Sequence, residues 1–304
     1  MNSPTSGCAE STSCLTPLRK RLSAFPWWLK VGLKMLAASL TPFSYEQIRA
    51  RFTGFRGKMA DPLYAEQVFG YHLDRFRTWQ GGGPEGAYLE LGPGGSLASG
   101  ILARRAGFDS SVLIDARDCA IRDLAFYRRL ALGAPSLTEF SDFNDFTSRH
   151  SIVYLTKGLN SLMSLASASI SFSSSQDVLE HIRQAEFDAT LRELFRVHRP
   201  DTVSSHRIDF KDHLAGSLNH LRFPSRIWEH RLFPSRGFYT NRLRYSQIKR
   251  SFLQAGFEIL DETIFRWEEA PLAAHRLAPE FLGLAKDDLL VHRWDVVLRI
   301  PARP

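Results

Sequence analysis

Cysteine is scarce in this chain: Cys8, Cys14 and Cys119 are the only three in 304 residues, and no two form a Cys-x-x-Cys pair. That scarcity argues against a disulfide framework and against a thiolate zinc site, and it fits a reducing compartment. Long apolar runs are missing too. No segment reaches the roughly 18 apolar residues that cross a bilayer, and residues 1–14 lack the basic start and apolar stretch of a secretory signal, so a cytoplasmic protein is expected. No internal repeat is visible, which excludes solenoid and propeller architectures. What is present is ordinary for a folded soluble chain: 44% apolar and 23% charged residues, with neither the composition of disorder nor that of a membrane bundle.

The net charge of +7 is unevenly placed. Residues 1–60 carry nine Lys and Arg against Glu10 and Glu46, so the remainder is formally neutral. Within that region, residues 25–40 begin Phe25-Pro26-Trp27-Trp28-Leu29-Lys30 and mix aromatic, aliphatic and basic side chains at roughly helical spacing. Such a segment suits an anionic membrane surface on the inner face, and equally an amphipathic helix packed on the core or on a second subunit. A nucleic-acid arm is the weaker reading, because no recognition motif accompanies it, and no nucleic-acid partner is expected. The oligomeric state is left open.

Residues 1–16 read as a flexible tail rich in Ser, Thr and small residues. Residues 17–84 read as a helical extension, ended by the breaker cluster Gln80-Gly81-Gly82-Gly83-Pro84. From there the pattern alternates. Strands are expected at Ala87–Leu91, Ser111–Asp115, Ile152–Leu155, Ser169–Ser174 and Thr202–Ile208. Helices are expected at Ser96–Ala106, Cys119–Leu132, Ser136–Ser148 and Glu186–Val197. This spacing implies right-handed crossovers and a doubly wound, mostly parallel α/β sheet of Rossmann-like type over residues 85–304. Residues 210–244 break the pattern and are expected to be an acceptor-site insertion. A helix at Tyr245–Gln254 and strands at Glu258–Trp267 and Leu289–Ile300 complete the chain, the last strand antiparallel.

Three strand ends carry chemistry. After the first, Gly92, Gly94 and Gly95 allow a sharp turn and close approach of a ligand to backbone amides at a helix N-terminus. Leu97 stands where a third dinucleotide glycine would be, which disfavours a pyrophosphate loop. Glu90, two residues before Gly92, suits a ligand with an amino group or a sulfonium. Asp115 ends the second strand, where a carboxylate can hold the vicinal hydroxyls of a ribose. The fourth strand runs into Gln176-Asp177-Val178-Leu179-Glu180-His181.

Taken together, Leu89-Glu90-Leu91-Gly92-Pro93-Gly94-Gly95, Asp115, Ser175 to His181 and Leu194 to Asp201 resemble the successive motifs of class I S-adenosylmethionine-dependent methyltransferases, with a domain similar to methyltransferase type 11. The resemblance covers about residues 86–210. It implies S-adenosyl-L-methionine as cofactor, with Glu90 and Gly92, Gly94 and Gly95 beside its methionine part, Asp115 on the ribose, Gly158 and Leu159 near the adenine, and Gln176 and Asp177 near the transferred methyl. Two positions depart from the pattern. Lys157 stands where an acid or amide usually meets the adenine amine, and the turn after Pro200 reads Asp201-Thr202 rather than Gly-Gly.

At and beyond the fifth strand lie His206, Asp209, Asp212 and His213. An imidazole titrates near neutrality and can take a proton from an alcohol as the methyl moves, so His213 and His206 are the leading bases, with Asp209 or Asp212 orienting them and His181 a further candidate. The same groups include oxygen and imidazole ligands, but strand-end charges commonly pair with neighbours, and no metal is expected. Aromatic, Arg and Asn residues between Asn219 and Arg244 suit a polar acceptor. The expected function is therefore methylation of a hydroxyl on a saccharide, another polar small molecule or a glycolipid. The alternatives are a lipid or quinone methyltransferase at a membrane surface and a non-catalytic cofactor-binding protein. The helical extension and the Asp-His after the fifth strand are also similar to methyltransferases of glycan pathways, by analogy alone.

Overall fold

The computed structural model describes residues 26, 28, 29, 32, 58–130, 138–230 and 239–302. The expected tail, most of the 25–40 segment and residues 231–238 of the expected insertion lie outside these. Asp61 accepts the Leu63 N–H at 3.1 Å and Pro62 fills the first turn, which starts helix α1 (Pro62–Gln80); Gly81, at φ +74°, ends it at the breaker cluster. Then follow β1 (Ala87–Leu91), α2 (Ala98–Ala106), β2 (Ser110–Ile114), α3 (Leu124–Leu130), α4 (Phe143–Arg149), β3 (Ile152–Leu155), α5 (Leu159–Met163) and β4 (Ile170–Gln176). The second half holds α6 (Gln184–Val197), β5 (His198–Asp209), α7 (Ser225–Trp228), α8 (Tyr245–Ala255), β6 (Glu258–Arg266), α9 (Lys286–Leu290) and β7 (Val291–Ile300).

The seven strands form one sheet in the order β3-β2-β1-β4-β5-β7-β6. β1 pairs in parallel with both β2 and β4, β4 with β5, and β2 with β3. β7 inserts antiparallel between β5 and β6. This is the Rossmann-like sheet expected from the sequence. Both faces are covered. On one, Phe69, Leu73 and Phe76 of α1 and Ile101 of α2 pack with Tyr88, Phe108 and Phe172; on the other, Leu191 and Leu194 of α6 and Ile248 and Phe252 of α8 pack with Leu89 and Trp294. Helix α1 is thus a layer of the sheet's own core, its buried residues following the helical spacing 65, 68, 69, 72, 73, 76.

Two helices are shorter than their periodicity suggests. Where a helix is expected from Cys119, the backbone bonds elsewhere: Cys119 N donates to Tyr154 Oη at 3.1 Å and Ile121 N to Gly95 O at 3.0 Å, so helix starts only at Leu124. The expected Ser136–Ser148 helix begins at Phe143, because the Asp142 carboxylate caps Asn144 N and Asp145 N at 2.8 and 2.9 Å. The polar composition of β4 and β5 is buried. His198 bridges Ser173 and Thr202, and His72 of α1 bonds Ser205 at 2.8 Å.

Candidate functional site

The chain winds from β1 outward through β2 to β3 and then crosses back to β4 on the other side of β1, so the sheet's switch point lies between the carboxyl ends of β1 and β4, where an open α/β sheet leaves a crevice. A cavity of about 150 Å³ opens there. The β1 loop supplies Glu90, Gly92, Gly94 and Gly95, and the end of β4 supplies Gln176 and Asp177. These six are all residues that the sequence singled out. Gly92 has φ +71°, and a Cβ on it would meet Val178 at 2.4 Å; Gly94 has φ +66°, and a Cβ there would meet nothing nearer than Gly92 O at 4.0 Å. Gly92 therefore lets the loop pass Val178, while Gly94 leaves open space at the cavity.

Glu90 is 3% exposed and takes a hydrogen bond from the Ser99 hydroxyl. Burial pushes its carboxyl up to about 7, against the Ser99 bond and with the help of Asp115. Gln176 donates through Nε2 to Asp177 at 3.1 Å, and its side chain also hydrogen-bonds the buried His72. Asp177 has φ +54°, a strained conformation for a non-glycine residue, held by its N–H on Arg207 O at 3.0 Å. Burial raises its carboxyl as well.

Asp115 follows β2 directly. Its carboxylate accepts Gly94 N at 3.2 Å and Arg117 N at 3.3 Å, and its carbonyl accepts Gly158 N at 2.9 Å. It ties the glycine loop to the end of β3, where Gly158, at φ +51°, precedes Leu159 at the start of α5. Asp115, Gly158 and Leu159 sit beside the cavity and are not part of its lining.

On the β5 side the expected residues part company. His206 is a correction: it is fully buried, stacks on Phe252 at 5.7 Å, and bonds Ser175 and Ser204 at 2.8 and 3.1 Å. Burial holds it down to about 3, so it stays neutral and reaches no substrate. Asp212 is a second correction. Its carboxylate is saturated by Leu214 N, Ala215 N, Asn219 N and Asn219 Nδ2, at 2.6 to 3.2 Å, and it organises the 212–219 turn instead of orienting a base. Asp209 caps Lys211 N at 2.8 Å and pairs with its ammonium at 3.0 Å.

His213 and His181 come together. Their rings stack at 4.8 Å, with Nε2 atoms 3.1 Å apart, and His181 Nδ1 lies 2.8 Å from Tyr239 O. A carbonyl only accepts, so His181 Nδ1 carries the proton. Neutral His181 then presents its Nε2 as an acceptor for His213 Nε2–H.

The sequence did not point to the cavity's third wall, Lys58, Met59 and Tyr64, which comes from the segment leading into α1. Nor did it mark Glu180, a buried carboxyl that burial and Asp177 push well up against hydrogen bonds from the backbone of Glu180 and Asp209. The side chains expected to serve an acceptor in the 219–244 stretch are mostly engaged within the protein: Asn241 Nδ2 donates to Leu179 O and Ile182 O, and Arg244 to Phe210, Asp288 and Val291 carbonyls. Among the described residues, no group of three or more His, Cys, Asp and Glu is placed to hold a metal, and no helix is long and apolar enough to cross a membrane.

No protein-family model and no curated protein sequence matches the chain. Solved structures similar to it include an S-adenosylmethionine-dependent methyltransferase from Mesorhizobium loti, 14% identical with a TM-score of 0.43, over 74% of this chain and 96% of that one. A SAM-dependent methyltransferase from Archaeoglobus fulgidus is 13% identical with a TM-score of 0.41, over 84% and 98%. The [4+2]-cyclase SpnF is 15% identical with a TM-score of 0.44, over 79% and 82%. These likenesses describe the course of the chain and assign it no reaction.

Proposed function

We propose that this protein is a methyltransferase that uses S-adenosyl-L-methionine and methylates a hydroxyl of a polar acceptor, a saccharide or glycolipid headgroup being the preferred class. The observation that carries the reading is the chemistry of the β1–β4 cavity. It offers a buried carboxyl, Glu90, for an ammonium, and open space at Gly94. A phosphate would be repelled by Glu90 and Asp177; the amino end of an amino-acid nucleoside is not. Asp115 and Gly158 follow at the next strand ends, in reach of a ribose and a base.

When bound, the cofactor supplies an electrophilic methyl on a sulfonium. The protein's part is to hold the acceptor oxygen in line with that methyl and to take its proton. The stacked imidazole pair His213 and His181 is the candidate base. His181, fixed on Tyr239 O, spreads the gained charge through the shared Nε2 proton. Asp177, on the cavity wall, suits the hydroxyls of a sugar.

Calorimetry with S-adenosylhomocysteine tests the cofactor: binding to wild type and a loss of about tenfold in Asp115→Ala are expected, and equal binding in both would remove Asp115 from the site. Incubation with methyl-labelled cofactor and a cell-envelope extract tests the acceptor. A labelled polar product supports the reading, a labelled lipid core or quinone redirects it, and tight cofactor binding with no transfer identifies a binding protein.

A further inference from the structure

The sheet's contribution to the cavity is one-sided in charge. Glu90 and Asp177 are acids, Gln176 and the glycines are neutral, and the lone cation among the described lining residues is Lys58. Lys58 belongs to the segment before α1, and that segment is fastened to the glycine loop. The Ser96 hydroxyl, just past Gly95, donates to Met59 O at 2.5 Å, and Asp61 N closes the turn on Lys58 O at 2.9 Å. Lys58 Nζ stands 5.6 Å from the centroid of the Tyr64 ring. Among the described residues no carboxylate lies within ion-pair distance of it. Tyr64 is half-buried, and the charges of Asp177 and Arg207 both act on its hydroxyl.

An amino-acid nucleoside ends in a zwitterion. Glu90 can match its ammonium, but nothing on the sheet can match its carboxylate except backbone N–H groups of the loop. From this complementarity, and resting on the cofactor reading above, we infer that Lys58 binds the α-carboxylate of the cofactor's amino-acid end, with Met59 and Tyr64 closing the pocket over it. The strap of residues 58–64 is thereby a wall of the cofactor site, and the extension it belongs to is part of the binding machinery.

The test compares two ligands on the intact chain by calorimetry: S-adenosylhomocysteine, which has the amino-acid end, and 5′-methylthioadenosine, which has the nucleoside and thioether without it. Lys58→Met is expected to weaken S-adenosylhomocysteine about tenfold or more, as loss of a charge-assisted hydrogen bond does, and to leave methylthioadenosine within twofold. Lys58→Arg is expected to restore most of the lost affinity. Unchanged S-adenosylhomocysteine binding in Lys58→Met overturns the assignment, and so does an equal loss for both ligands, which would mean the strap has only shifted. Wild type that binds neither ligand overturns the cofactor reading itself, and this assignment falls with it.

Discussion

The two glycines of the β1 loop do different work, and a single added methyl separates them. Gly92→Ala must drive a Cβ to 2.4 Å from Val178 as well as hold a left-handed backbone, whereas Gly94→Ala meets open space and bears the backbone strain alone. Urea unfolding is expected to show a loss of about 1 kcal/mol for Gly94→Ala and about 2–4 kcal/mol for Gly92→Ala, where overpacking adds to the strain. Similar losses in the two would refute the distinction. Glu90 makes a second prediction. Its carboxyl lies raised to about 7, and an ammonium ligand favours the ionised form. Affinity for S-adenosylhomocysteine should rise with pH by up to about tenfold per unit below 7, then level off, with a proton released on binding at pH 6. Glu90→Gln should flatten that profile. Glu90, Gly92, Gly94, Gly95, Gln176 and Asp177 were legible because loops at strand ends announce themselves by glycine and by charge next to apolar runs. His206 was not, because β5 is covered on both faces; a histidine whose ring points into a helix layer reads the same in sequence as one that points to a ligand.

At the level of elements, the alternation of strands and helices indicated a mostly parallel, doubly wound sheet, since apolar period and breaker residues are local properties, but not the order of its strands. Helix starts at Leu124 and Phe143 were not legible, because they depend on where Ile121 N and the Asp142 carboxylate find partners across the fold. The bond between α1 and the β5–β7 pair was hidden for the same reason. Arg207 of β5 makes a two-point pair with Asp295 of β7 at 3.0 and 2.9 Å, Tyr71 of α1 donates to the same carboxylate at 2.7 Å, and Arg207 lies over the Tyr71 ring at 4.5 Å. Asp295 is 2% exposed. Asp295→Ala would strand Arg207 and Tyr71 together and loosen the carbonyl that holds Asp177 in its strained conformation. A loss of about 2–4 kcal/mol in urea unfolding is expected, below the full figure for a buried pair because Arg207 keeps some solvent. Weaker S-adenosylhomocysteine binding should accompany it. A fully stable Asp295→Ala protein would show that the network does not hold α1.

For the molecule as a whole, six buried groups set how stability follows pH. His72, His198 and His206 are held down to about 3 by burial, and His220 is also held well below its ordinary range. Each stays neutral in the folded state, while the unfolded chain takes up a proton below about 6.5. Their contribution is whole above that pH and is lost as pH falls from 6.5 toward 3. Glu90 and Glu180 act in the opposite sense. Their folded carboxyls are raised, so they keep protons that the unfolded chain releases above about 4.5, and their contribution is whole below that pH and lost as pH rises through the folded values, about 7 for Glu90. Between 4.5 and 6.5 the unfolded chain thus binds about two protons more than the folded one, and below 4.5 about four more. With about 1.4 kcal/mol per proton and pH unit, stability should peak near pH 6.5, fall by about 3 kcal/mol per unit down to pH 4.5, and then by about 5 per unit. A protein of ordinary stability, about 10 kcal/mol, would unfold near pH 4. Denaturant titrations at pH 7.5, 6.5, 5.5 and 4.5 measure both slopes. His206→Gln should reduce each slope by about one proton, and stability that stays level from pH 6.5 to 4.5 would mean that the buried histidines already carry their protons in the folded state.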